Sequence, residues 1–206
     1  MRDAILGALA DWVTKGTPMP ASRYPRIADG TLVSPTRSAM GFPPIPGRPS
    51  PDGVLFPLID YNVGPTFHYS DESGITTQVP AVKRALPRLV PRVDADGNEV
   101  AGVKSPQQMA PLGTYTGWNI RSSGVFKDQM CIFNSPVGGF IPFAQTRAER
   151  VASGDPRLSL EERYRTHDGY VDAVKRATET LIKEGFLRAA DAAEMISQAQ
   201  ASDILR

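Results

Sequence analysis

Cysteine is nearly absent from this chain of 206 residues, which has one, at position 131. A single thiol excludes an internal disulfide, and its neighbours Met130 and Ile132 make Cys131 read as a small buried apolar residue rather than a reactive one. Histidine is scarce too, with His68 and His167 the only two. Without any H-x-x-x-H or C-x-x-C spacing a zinc site lacks its ligands, so neither a metal nor another cofactor is expected. An excess of one charge is also missing. Twenty-three Lys and Arg against twenty-two Asp and Glu leave a formal charge of +1, with basic residues scattered singly, which argues against nucleic acid or anionic membrane as a partner. No apolar run approaches the roughly 18 residues of a membrane span, so a soluble chain is expected. The opening "MRDAILGALADWV" lacks the long apolar core and cleavage site of a secretion signal.

The signatures of nucleophilic catalysis are missing as well. There is no G-x-S-x-G, the turn that lifts a nucleophilic serine above a hydrolase sheet, and no S-x-x-K. His68, beside Asp71 and Glu72, would need a distant nucleophile. His167, next to Asp168 at the start of a helix, reads as a capping or solvent-facing residue. The phosphate-loop spacings G-x-x-x-x-G-K-[ST] and G-x-G-x-x-G do not occur. No catalytic residue is therefore assigned.

What the chain has in quantity is proline, and fifteen of its nineteen prolines fall between Thr17 and Pro106. Proline fixes φ and has no backbone donor, so this span is expected to run as short extended pieces rather than as one sheet or helix. Its Pro43, Pro46 and Pro49 match a P-x-x-P spacing, which is common in any proline-rich arm. "VLFPLIDYN" and "GITTQVP" are β-prone runs inside it. In "LVPRVDADGNEVAGV", Asp96-Gly97 between two Val-rich runs predicts a tight hairpin. Asp94, Asp96 and Asn98 mimic the first ligands of a calcium loop, but Glu99 stands where that loop needs glycine and Ser105 where it needs glutamate.

Helical periodicity occupies the two ends. Ile5, Leu6, Leu9, Trp12 and Val13 fall on one face of a helix closed by Gly16 and Pro18, and no capping residue precedes it. After Gly138 and Gly139, a turn is expected to deliver Phe140 and Phe143 to a core. "TRAERVAS" reads as a short helix ending at Gly154, and Ser159 with Glu162 as a capping box. Tyr170, Val171, Val174, Ala177, Thr178, Leu181 and Ile182 trace one face of a long helix closed by Gly185. A last helix carries Ala192, Ile196 and Ala199. The fold class expected is α+β: an amphipathic helix over 1–16, a proline-rich arm with a β-hairpin over 17–110, and a turn-rich segment with a helical hairpin over 111–206.

Between arm and helices lies "PLGTYTGWNIR". Gly113 and Gly117 bracket Tyr115, which predicts a chain that reverses twice around an aromatic ring, with Trp118 anchoring the bend on a core. Tyr115, Trp118, Asn119 and Arg121 bring a hydroxyl, an indole, an amide and a guanidinium close together, and they are the candidate pocket residues.

Five phrases in order, "ALADWVTKGTPMPASRYPRIADGTLV", "LVPRVDADGNEVAGV", "PLGTYTGWNIR", "GGFIPFAQTRAER" and "GDPRLSLEERY", together resemble the C-terminal part of the bacterial alpha/beta hydrolase domain family. The resemblance covers nearly the whole chain. It implies an esterase-like activity on a small ester, with the parallel sheet and nucleophile serine upstream of Met1 and the first helix following the catalytic-histidine loop. The chain would then be the wrapping, lid-like portion of such an enzyme, partnered by an upstream hydrolase core in the same or a separate chain. Any export signal would belong to that upstream part. The alternative is a stand-alone interaction module whose apolar helix faces bind a partner. A self-contained enzyme using His68 or His167 is the third reading.

Overall fold

The computed structural model describes residues 1–48, 52, 58–121, 123–125, 127 and 138–206. Cys131 and Pro49 lie outside them. Helix α1 (Arg2–Lys15) ends at Gly16, whose φ of 69° is the left-handed cap expected there. Its buried side is not the expected one. Met1 and Ile5 pack against a core of Leu181, Phe186, Leu187 and Ala192, while Leu6, Leu9, Trp12 and Val13 stay exposed, Val13 at 73 %. The apolar stripe splits because the half-buried positions are Met1, Ala4, Ile5, Ala8 and Asp11, a face that shares only Ile5 with it.

Among the described residues the proline-rich span runs as short pieces, as expected, although of the β-prone run "GITTQVP" only Gly74 lies in a strand. The pieces are β1 (Leu32–Val33), a single-turn helix α2 (Arg37–Met40), β2 (Leu58–Asn62), β3 (Phe67–His68), β4 (Ser73–Gly74), β5 (Ala81–Leu86) and β6 (Val90–Pro91). All pairings are antiparallel: β1 with β6, β2 with β5 and β3 with β4. In the β2–β5 ribbon Asp60 pairs with Arg84 and Tyr61 with Val82, so Lys83 is an extra residue. That bulge lets Arg84 and Lys83 both approach Asp60, at 3.1 and 3.8 Å.

The hairpin expected around Asp96-Gly97 is reduced to its turn. Gly97 has φ 79°, Val93 and Glu99 form a lone antiparallel bridge, and the N–H of Asp94 donates to the Asn98 carbonyl at 2.8 Å. The preceding Val-rich run pairs with β1 instead of with its own neighbour. The reason is local. The Asp94 carboxylate accepts from the N–H of both Asp96 and Asn98 at 3.0 Å, which winds the loop tightly.

Past a single-turn helix α3 (Pro106–Met109), strand β7 (Gly113–Thr116) pairs antiparallel with β8 (Gly139–Pro142). The double reversal predicted around Tyr115 is thus a strand, and Gly113 serves close approach. A Cβ there would meet the Ile141 carbonyl oxygen at 2.4 Å. Phe143 is buried as expected, whereas Phe140 remains 51 % exposed.

Helices α4 (Arg147–Ser153), α5 (Leu160–Tyr164), α6 (His167–Lys183) and α7 (Ala189–Ala201) complete the described chain. Capping boxes start both α4, with Thr146 and Glu149, and α5, with Ser159 and Glu162. Along α6, Val171, Val174, Ala177, Thr178 and Leu181 are buried, and α7 packs on it through Ala192 and Ala199. Ile182, at the edge of the predicted face, is 38 % exposed. The α+β expectation, a helical pair at the C-terminal side and small antiparallel strands, holds for the described residues.

Glu162 joins two of these elements. Besides capping α5, it accepts from Arg150 Nε at 2.7 Å and Nη2 at 3.1 Å, tying α4 to α5. The Arg150 hydrogen bonds, followed by the Ser159 N–H, lower its pKa from 4.5 to about 2. A carboxylate depressed in the folded state stabilises above its unfolded pKa and loses that contribution as pH falls through the folded one. Thermal melts of wild type are therefore expected to drop between pH 4.5 and about 2. Glu162→Gln should melt lower at pH 7 and show a flatter decline across that window.

Candidate functional site

The β7–β8 ribbon carries both parts of the site, a buried polar knot along one side and a cleft at its far end. Beneath it sits Arg157, only 3 % exposed. All five of its N–H groups have acceptors. Nε and Nη2 donate to the Asp155 carboxylate at 3.0 and 2.7 Å. Nη1 donates to Thr114 Oγ1 at 2.8 Å and the Ile141 carbonyl at 2.9 Å, and Nη2 also reaches the Pro142 carbonyl at 3.0 Å. Burial pushes the Asp155 carboxyl up, but the bonds from Arg157 outweigh it and hold the group below its usual range.

This knot spreads along one side of the ribbon. Thr114 Oγ1 donates to the Asp96 carbonyl, and the Asp96 carboxylate pairs with Arg163. Asn98, 1 % exposed, donates from Nδ2 to the Gly113 carbonyl at 3.1 Å and accepts from the Tyr115 N–H at 2.8 Å. Its amide stands in for a neighbouring strand. The Arg157 and Arg163 guanidiniums lie 5.1 and 4.3 Å from the Phe143 ring centroid. Arg163 Nε, the buried side-chain atom left without a hydrogen-bond partner among the described residues, lies in that same stacked guanidinium.

At the far end of the ribbon a cleft of about 420 Å³ opens. Trp118, Asn119 and Arg121 line it together with Phe140 and Arg48. Three of the four residues singled out from sequence thus share one cavity. Trp118 is anchored as expected, its ring 5.7 Å from that of Phe42 in the core of Met40, Phe42 and Ile45. Asn119 accepts at Oδ1 from the Ile120 N–H at 2.9 Å. Tyr115 is not part of the lining. Its ring packs on Phe140 at 5.1 Å, and burial raises its phenol above the ordinary value. Sequence reading missed Arg48, which lines the same cleft from about seventy positions earlier in the chain.

The histidines sit elsewhere. His68 has Ser73 as a near neighbour, Nδ1 to Oγ 3.1 Å, where the sequence had suggested only a distant one. Ser73 donates to Asp71 at 2.7 Å, so the serine lies between the other two. A triad needs the histidine in the middle, to take the serine proton while the carboxylate orients it. His167 is not the cap of α6; Thr166 is, accepting from the Gly169 N–H at 3.1 Å. The His167 ring instead lies 2.9 Å from the Ile204 carbonyl and 3.2 Å from that of Gln200, stitching the two ends of the helical pair. No cluster of three metal-ligating side chains exists among the described residues, and none of their helices is long and apolar enough to cross a membrane.

Among the described residues, a mixed fold thus carries an anchored, aromatic-walled cleft. The family is established separately: the model of the alpha/beta hydrolase domain matches residues 1–197, and the chain belongs to that family. The five phrases therefore pointed to the right family. No curated protein and no solved structure matches the chain.

Three of those phrases meet at Arg157 and a fourth reaches it through Thr114, so its loss tests the whole arrangement. Arg157→Met should leave Asp155 and Thr114 buried without their partner and cost about 3–5 kcal/mol in chemical denaturation. An unchanged midpoint would refute the lock.

Proposed function

We propose that this chain forms the C-terminal wrapping, lid-like portion of an esterase-type α/β hydrolase acting on a small ester. The nucleophile and catalytic histidine would come from a hydrolase core upstream, in the same or a separate chain. The observation that carries this reading is helix α1 in a member of the hydrolase family: Leu6, Leu9, Trp12 and Val13 turn to solvent, between 43 and 73 % exposed. A stripe of four large apolar side chains on one helix is the kind of surface that meets a partner. The absence of G-x-S-x-G from the sequence fits a division of labour in which the serine lies on that partner.

In this reading the cleft is one wall of the substrate pocket. Trp118 and Phe140 offer apolar faces, and Asn119 and Arg121 offer polar ends, the mixture that orients a small ligand. Tyr115 supports the wall from behind by packing on Phe140. A lid of this kind excludes water and adds specificity while the rigid core does the chemistry.

The exposed face of α1 also favours a second reading, a non-enzymatic interaction module. Mixing separates the two. The chain is combined with a separately expressed polypeptide carrying the G-x-S-x-G and histidine loop of a longer family member, and 4-nitrophenyl acetate hydrolysis is followed. Hydrolysis on mixing is expected, falling at least about tenfold with Leu9→Asp or Trp12→Asp, whose exposed positions spare the fold. Asn119→Ala should raise KM. A stable complex without hydrolysis would favour the interaction module, and two folded halves that neither bind nor hydrolyse would sink the esterase reading.

A further inference from the structure

Between α3, α6 and α7 lies a second cleft, of about 200 Å³, which shares no lining residue with the one beside Trp118. Its floor is Ala110, Val174 and Ala199, between 2 and 6 % exposed and part of one core cluster. The two alanines keep the space open, since a longer side chain at either place would fill it. Pro106 at the start of α3 and the Ser105–Gln108 capping box hold the third wall. Tyr170 lies one turn before Val174 on α6, and its ring meets that of Tyr164 edge-on at 5.3 Å. The Tyr164 hydroxyl in turn donates to the Pro111 carbonyl at 2.7 Å. The walls are therefore in place before anything binds.

No charged side chain lines this cleft. Above the floor it offers the Met195 thioether, the Tyr170 phenol and the amides of Gln107 and Gln198. Gln198 donates from Nε2 to the Glu194 carboxylate at 3.2 Å, whereas the Gln107 side chain has no such bond among the described residues. We propose that this cleft binds one compact, uncharged aromatic molecule of phenol size, with a single hydroxyl group. This binding needs no ester chemistry and stands apart from the function proposed above. An anion would lie near Glu194 with no cation to meet it, and a cation would give up water to a floor of methyl groups. A neutral ring loses little water, and it gains sulfur–aromatic contact with Met195 and ring contact with Tyr170. An amide both donates and accepts, so Gln107 can meet the hydroxyl in either sense. Burial raises the Tyr170 phenol above its ordinary value, which keeps it neutral at physiological pH. Size sets the upper bound: roughly 150 Å³ of apolar space takes a benzene ring. The cleft's volume of about 200 Å³ thus leaves room for one small substituent.

Methyl-labelled full chain, titrated in the NMR tube with phenol, benzoate and benzylammonium, tests the idea. Phenol should shift the Ala110, Val174 and Ala199 methyl signals saturably, and each ion should bind at least about tenfold more weakly. Ala199→Leu fills the cleft and should abolish those shifts. Gln107→Ala, at an exposed position that spares the fold, should weaken phenol roughly three- to tenfold and keeps the test open if the leucine variant does not fold. An ion that binds as tightly as phenol overturns the uncharged-ligand assignment. Shifts confined to the Trp118 indole put phenol in the other cleft and overturn the proposal, as does the absence of any saturable shift. Methyl signals that move with protein concentration before phenol is added assign the cleft to a second copy of the chain, which overturns it too.

Discussion

A guanidinium taken out of water has five N–H groups to satisfy, and at Arg157 the acceptors come from β7, β8 and the turn before α5. Leaving any of them unmade would strand a buried donor at a cost of about 1–3 kcal/mol. The requirement fixes geometry more than it adds stability. It sets the height of the ribbon over α5, holds Asp155 ionised, and brings Phe143 under two cations. The Asp96–Arg163 pair and the Asn98 amide extend the same constraint to the loop that precedes β7. A region built from short strands and five- to seven-residue helices is thereby given one arrangement.

The cleft inherits its shape from this base. Phe140 belongs to the strand whose carbonyls Arg157 holds, and Trp118 follows the strand that Asn98 and Thr114 secure. On its other side Met40, Phe42 and Ile45 carry both Trp118 and the turn of Gly47 and Arg48. Loops can discriminate between ligands only if their side chains return to the same place, and here they are fastened to two small cores rather than to a long sheet.

The helices were the legible part of the sequence, because capping and periodicity are local. Ser159 with Glu162, Gly154 and Gly185 marked their boundaries within a residue or two. The α1 stripe misled because periodicity reports which side of a helix is apolar, while burial is decided by what lies opposite. Strand β5 went unnoticed in "AVKRAL", whose alternation is weak because most of it is solvent-exposed. The pocket residues were half legible. Trp118, Asn119 and Arg121 stood out by their chemistry, but Arg48 lay in a proline-rich stretch and reaches them only through tertiary folding. Arg157, the centre of it all, looked like any surface arginine between a proline and a leucine.

The closed accounting around Arg157 also bears on how this chain can change over evolutionary time. Thr114 donates its hydroxyl hydrogen to the Asp96 carbonyl and accepts a hydrogen bond from Arg157, so a valine there would leave both neighbours stranded. Asp155, Thr114 and Arg157 are consequently not independent positions. Drift at one is tolerated only alongside replacement of the others by apolar residues of matching volume, a jump of several substitutions at once. Homologues should therefore fall into two groups, those that keep the full polar set and those that have lost all of it, with intermediates purged.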